Sequence, residues 1–234
     1  MTYANDLKKA AALEAVKAVK DGMVIGLGTG STAAFAIEAL GEQVKQGLKI
    51  VAVPTSNKSA DMAKGFGIQL VDLEMHPVID VTIDGADEVE RDSLNMIKGR
   101  GGALLREKIV ALASRQVVIV VDDSKITAKL GTKAPLPVEI VPFGWKTTVQ
   151  RLIELIPGQS ADSIVLRRAQ DGQPFISDEE NYILDCHLGT INDAPHMEAL
   201  ISNVIGVVGT GLFINIASQV IVAAPDGVRC LSNS

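Results

Sequence analysis

Short β-branched runs alternate with amphipathic stretches through the first part of the chain, and this alternation leaves few architectures open. MVIGLG, LKIVAV, IQLVDL, VIDVTID, LNMIK and QVVIVVD have the length and β-branched content of buried strands. Between them, TAAFAIEALGEQVKQG, SNKSADMAKGFG and ALLREKIVALAS carry apolar residues at helical spacing. Strands interleaved with helices predict an α/β fold, a Rossmann-like and mostly parallel sheet with helices on both faces.

After Gly131 the texture changes. APLPVEIVPFG is proline-rich, and PVEIV, WKTTVQRLIELI, SIVLRRA, NYILDCHL, APHMEALISNV and GVVGTGLF then read strand, helix, strand, strand, helix, strand. That is the split β-α-β order of a ferredoxin-like unit, with Asp171-Gly172 as the turn between its middle strands. INIASQVIVAAPDGV returns to the first texture. The expected organisation is one α/β domain, residues 1–131 and 207–234, carrying a small α+β unit inserted at 132–206.

Composition removes several functions. A net charge of −6 and 3% aromatic residues leave neither a basic stripe for phosphodiesters nor stacking platforms for bases, so nucleic acid is not an expected partner. No apolar run approaches the ~20 residues that span a bilayer, and the Lys-, Asp- and Glu-containing start is not a secretory leader, which points to the cytoplasm and away from membranes. Cys186 and Cys230 form no Cys-x-x-Cys pattern, and His76, His187 and His196 lack compact ligand spacing, so a metal site is not expected.

The chemistry is sought in the loops that follow the strands, where open α/β sheets bind ligands. In GLGTGST a strand runs into alternating glycines and hydroxyls before a helix opens at Thr32 or Ala33. Free N–H groups there can cradle a phosphate; the plainer alternative is a tight turn with Ser31 or Thr32 as N-cap. A dinucleotide is disfavoured because VAVPTSN, about twenty residues on, supplies no acid for a ribose hydroxyl. In VIDVTIDGADEVE, Asp84 and Asp87 can accept hydrogen bonds from a polyol, or Asp87, Glu88 and Glu90 can form a solvated edge. Glu107 has only Ala103, Leu104, Val110 and Ala111 at helical i±3 and i±4. Burial without a local cation raises a carboxyl pKa toward the range of a proton shuttle. Lys98, before the glycine loop that precedes this helix, can meet the same ligand; the plainer alternative is that Arg106, Glu107 and Lys108 snorkel or pair with other elements. Lys125, in VVDDSKITAKLG, follows a strand where it can meet a phosphate or lie exposed in a turn.

GLGTGSTA, DVTIDGADEVE, KGRGGALLREKIV and VDDSKITAKLG, in this order and with GTGLF and APDGV after them, resemble the signature loops of the type A ribose-5-phosphate isomerases along essentially the whole chain. The resemblance implies metal-free, cofactor-free interconversion of ribose 5-phosphate and ribulose 5-phosphate through an enediolate, by a homodimer or homotetramer. It implies that Thr29, Gly30, Ser31 and Thr32, then Asp84, Gly85, Ala86 and Asp87, then Lys98, Gly99, Arg100 and Gly101, and Lys125, bind substrate, with Glu107 as base and Lys98, Asp84 and Asp87 assisting. Arg100 departs from the glycine of many members and would be strained if its backbone required a positive φ. A sugar-phosphate sensor and a coenzyme A transferase using its glutamate as nucleophile are the alternatives. Pentose phosphate turnover by the purified protein separates it from the first, and hydroxylamine trapping of a glutamyl thioester detects the second.

Overall fold

The computed structural model describes residues 3–232. The chain runs through α1 (Tyr3–Val16), β1 (Val24–Leu27), α2 (Ser31–Lys45), β2 (Val51–Pro54), α3 (Asn57–Gly65), β3 (Gln69–Leu70), β4 (Ile79–Asp84), β5 (Glu88–Glu90), β6 (Met96–Ile97), α4 (Leu104–Leu112) and β7 (Ser114–Asp122). There follow a 3-10 turn at Asp123–Lys125, β8 (Ile126–Thr127), β9 (Leu136–Ile140), α5 (Trp145–Leu155), β10 (Ile164–Leu166), β11 (Tyr182–Cys186), α6 (Ala194–Ser202), β12 (Val207–Thr210), β13 (Leu212–Phe213), β14 (Gln219–Ala224) and β15 (Gly227–Ser232).

Seven strands form the central sheet in the order β15-β14-β7-β4-β1-β2-β3. Its neighbours pair in parallel except for the β14–β15 hairpin at one edge. The reason is visible in β7, whose successive side chains divide between the two faces, as a period of two requires. Val118 and Val120 pack with Ile25, Leu27 and Ile83 under the alanine-rich face of α1 (Ala11, Ala12, Ala15) and Ile37 and Leu40 of α2. Val117, Ile119 and Val121 join Val220, Val222, Met96 and Phe213 on the opposite face. A strand covered on both faces has no polar side to show, hence the unbroken apolar run.

The second sheet has the order β10-β11-β9-β12, with antiparallel neighbours throughout and α5 and α6 in its connections. This is the ferredoxin-like order expected, around a separate core that includes Leu136, Val138, Leu152, Leu184, Cys186 and Ile201. β12 pairs with β9, so this sheet takes in residues through Thr210.

A third sheet, β13-β6-β5-β8, was not foreseen. LNMIK contributes only Met96–Ile97, and to this sheet rather than to the central one. Two-residue strands carry too little periodicity to reveal which sheet they will join. The solvated edge considered for Glu88 and Glu90 is also not what forms. Glu88 is fully buried and accepts the backbone N–H groups of Gly131 at 2.8 Å and of Lys133 and Ala134, pinning the segment that leads into the second sheet. Glu90 accepts from Ser93 Oγ and, at 3.1 Å, from Lys129 Nζ.

The tightest approach in the central sheet lies between β1 and β4. A Cβ at Gly26 would stand 1.8 Å from Oγ1 of Thr82, which is fully buried and hydrogen-bonded to Ser114 Oγ at 2.7 Å. Gly26→Ala is therefore expected to destabilise the protein by about 1–3 kcal/mol, the usual range for overpacking. Denaturant unfolding checks this; an unchanged midpoint would show that the β1–β4 spacing is not limiting.

Candidate active site

Four loops meet at one rim of the fold. The loops after β1, β4 and β7 leave the carboxyl ends of central strands, and the loop after β6 crosses between them before α4 begins. Together they line a cavity of about 330 Å³ whose walls include Thr29, Gly30, Ser31 and Thr32; Gly85, Ala86 and Asp87; Lys98, Gly99, Arg100 and Gly101; Glu107; and Lys125.

At the first wall the chain must turn from β1 into α2 while passing beside β4. A Cβ at Gly28 would lie 2.6 Å from the Cα of Asp84, and Gly30 has φ +112°, so both positions require glycine. Gly30 is the N-cap and gives no side-chain cap, so α2 begins at Ser31, earlier than the sequence suggests. Neither Ser31 nor Thr32 is the N-cap; their hydroxyls stand in the first turn beside uncapped N–H groups, an arrangement that attracts an anion. Thr29 is braced through its Oγ1 by Thr55 at 2.8 Å and Ser56 at 2.7 Å.

Lys8 is the lining residue the sequence analysis missed. It reaches from α1 to donate to Ser31 Oγ at 3.0 Å. No local signal distinguishes it from Lys9 or Lys17 in an alanine-rich helix; only the packing of α1 against α2 brings it to the phosphate-type loop.

Deeper in the site, Lys98 stands between two carboxylates. Its Nζ lies 3.0 Å from Asp84 Oδ2 and 3.4 Å from Glu107 Oε2, and it donates to Gly85 O at 2.6 Å. All three side chains are nearly inaccessible to solvent. Burial alone would lower the lysine pKa, but the Asp84 and Glu107 charges and the Asp84 hydrogen bond raise it above the ordinary value, so it stays an ammonium. One ammonium does not neutralise two carboxylates. Burial, opposed by Lys98 and reinforced by Asp84 and Asp87, pushes Glu107 up to about 8. Its Oε2 has no hydrogen-bond partner among the described residues.

Asp84 and Asp87 differ in position. Asp84 accepts the N–H groups of Thr29 at 3.1 Å and Gly85 at 2.7 Å, and stands behind the residues that line the cavity. Burial raises its pKa, against Lys98 and these N–H donors. Asp87 lines the cavity and accepts the Arg100 N–H at 3.0 Å. Arg100 is unstrained: the non-glycine residues of positive φ among those described are Leu94, Glu180 and Asn215.

The charged triplet of α4 divides. Glu107 turns into the cavity, whereas Arg106 pairs with Asp178 at 3.7 Å and with Glu179, and Lys108 pairs with Glu198 at 3.1 Å. Both basic residues therefore tie α4 to the segment that carries the second sheet. Among the described residues no three His, Cys, Asp or Glu side chains gather as metal ligands, and no helix is long and apolar enough to cross a membrane.

A carboxyl titrating near neutrality beside an ammonium, at the end of a cavity whose other wall suits a phosphate, can move a proton on a phosphorylated substrate. Known proteins fit this reading. The chain matches the family model for ribose 5-phosphate isomerase A (phosphoriboisomerase A) over residues 51–227. It is 48% identical to ribose-5-phosphate isomerase A of Synechococcus sp. (strain JA-3-3Ab), with 100% of both chains covered. The structure of ribose 5-phosphate isomerase A from Methanocaldococcus jannaschii superposes with TM-score 0.91 at 40% identity, covering 97% of this chain and 99% of that one. A D-ribose-5-phosphate isomerase in complex with phospho-erythronic acid gives TM-score 0.93 at 39% identity, with 99% of this chain and 100% of that one covered. Sequence, fold and the geometry of the four loops thus converge, and the chain belongs to the ribose 5-phosphate isomerase A family.

Proposed function

We propose that this chain interconverts D-ribose 5-phosphate and D-ribulose 5-phosphate by proton transfer through an enediolate, with Glu107 as the base. The observation that carries the assignment is the Oε2 of Glu107, buried on the cavity wall with Lys98 3.4 Å away and no hydrogen bond among the described residues. Membership of an isomerase family sets aside the sensor and the transferase.

The substrate phosphate sits at the α2 N-terminus, where Ser31 and Thr32 supply hydroxyls and N–H groups and Lys8 and Lys125 supply charge. This anchor directs the open-chain sugar toward Glu107, which takes the proton from C2 of the aldose and returns it to C1. The electron pair left behind moves onto the carbonyl oxygen, where Lys98 and the N–H groups of the glycine loop stabilise the negative charge. Asp87, on the cavity wall, handles hydroxyl protons and ring opening. Asp84, behind the wall, holds the Thr29 and Gly85 loops together and keeps Lys98 charged. A related D-ribose-5-phosphate isomerase has been solved in complex with phospho-erythronic acid, a phosphorylated open-chain sugar acid, which supports a ligand of this class for the cavity.

The division into a catalytic domain and an inserted lid, now with the boundary after Thr210, belongs to this proposal, as do a cytoplasmic location and a homodimer or homotetramer. Supporting assembly, Phe143 (93% exposed) and Ile205 (78%) lie near each other, because the Val141 N–H bonds Gly206 O. Light scattering that gave a monomer would remove the oligomer.

Glu107→Gln preserves shape and removes the base. A positioned general base contributes ~10²–10⁴-fold, so kcat should fall by about that factor, and solvent-deuterium exchange at C2 should vanish with it. Near-normal turnover would dismiss the assignment.

The pH dependence follows from the same carboxyl. In the parent, the acidic limb of kcat/KM should lie near 8 rather than near the carboxylate's ordinary 4.5. Because the folded-state value is raised, the protonated carboxyl's contribution to stability is complete below about 4.5 and is lost as pH rises through 8. Glu107→Gln has no such titration, so its stability relative to the parent should increase across that window. Parallel stability curves would contradict the raised value.

Lys125→Ala should raise KM more than it lowers kcat, and ribose without phosphate should react far more slowly, because remote binding energy positions the reacting carbons. Equal efficiency on free ribose would move the phosphate site elsewhere.

A further inference from the structure

The loop that carries Lys98 has a second face. Behind it lies a cleft of about 240 Å³ bounded by Asp87, Arg100, Lys133, Pro137, Arg167 and Asp185, so the Gly99–Arg100 backbone forms a wall between this cleft and the active cavity. We propose that Arg167, in the chain segment of the second sheet, is a positioning residue that fixes this wall and thereby aims the Gly101 N–H at the substrate.

Arg167 Nη1 donates to Gly99 O at 2.8 Å and to Arg100 O at 3.2 Å. The guanidinium is itself held. Asp185, on β11, accepts from Nε at 3.0 Å and from Nη2, and the Phe175 ring lies 5.9 Å from the guanidinium carbon. Phe175 also closes on the loop: a Cβ at Gly102 would stand 2.4 Å from its ring. The Arg167 N–H bonds Ile183 O at 2.8 Å, which fixes the base of the side chain to the same sheet.

The consequence comes from peptide geometry. In a trans peptide the C=O and the next N–H point in opposite directions, and no described peptide here is cis. Drawing Gly99 O toward Arg167 turns the Arg100 N–H away from it, onto Asp87 Oδ2 at 3.0 Å. Drawing Arg100 O the same way turns the Gly101 N–H toward the side on which Gly101 lines the active cavity. A cation on each carbonyl also polarises the peptide and makes its N–H a stronger donor. Lysine cannot reproduce the effect, since only the planar fork serves two carbonyls and a carboxylate at once.

This inference rests on the reading of the glycine loop as oxyanion stabiliser. Arg167→Ala should lower kcat by about 10–10²-fold, the scale of misplacing a catalytic group by about 1 Å, with a smaller change in KM. Competitive inhibition by inorganic phosphate, which reports the α2 end, and the melting temperature should stay at parental values. Because the cleft is open beside the loop, millimolar guanidinium should restore part of kcat to Arg167→Ala, while Arg167→Lys should stay slow. Parental kcat in Arg167→Ala, loss of phosphate inhibition in step with kcat, or failure of guanidinium to restore turnover would each overturn the proposal. If Arg167→Ala does not fold, Asp185→Asn keeps the arginine but loosens it. It should then show lowered kcat with unchanged phosphate inhibition, and parental kcat there would also overturn the idea. Normal turnover in Glu107→Gln would instead strike at the isomerase mechanism itself, so the two failures are distinguishable.

Discussion

An ammonium held between two carboxylates and shielded from water sets the terms for everything around it. Moving Lys98 into the interior uncompensated would cost several kcal/mol, and Asp84 at 3.0 Å with the Gly85 carbonyl at 2.6 Å offsets that cost. Those contacts bind the loop after β4 to the loop after β6. The remaining carboxyl, Glu107, is left with burial and two nearby negative charges against a single shared cation, and its pKa rises as a result.

Holding such a cluster requires rigid surroundings, which come from two directions. The central sheet fixes Asp84 at the end of β4 and seats the phosphate-type loop at the end of β1, with Gly28 allowing the two to touch. The second sheet's segment grips the other side: Asp178 and Glu179 take Arg106, and Glu198 takes Lys108. Glu107 thus lies on a helix held on both flanks by its basic neighbours. Partly exposed pairs of this kind contribute little stability individually. Their value lies in orienting α4.

Much of the site was legible because its residues lie in contiguous loops. Thr29 to Thr32, Gly85 to Asp87, Lys98 to Gly101, Glu107 and Lys125 announce themselves by glycine, hydroxyl and charge following a strand, and they line one cavity. Lys8 did not, being one lysine among several on a helix, and neither did Arg167, one of two adjacent arginines beyond a strand. The third sheet escaped notice because two-residue strands show no period.

The sequence by itself determined the layer order, the ferredoxin-like arrangement in the middle of the chain and the candidate groups, since hydrophobic period and turn chemistry are local properties. Only the tertiary structure decided which groups meet. It placed Asp84 behind the cavity wall and Asp87 on it, although both come from one short turn. It turned Glu107 inward while sending Arg106 and Lys108 to partners more than seventy residues away. Burial and distance to opposite charge set a side chain's pKa and partner, and both depend on what the rest of the chain brings alongside.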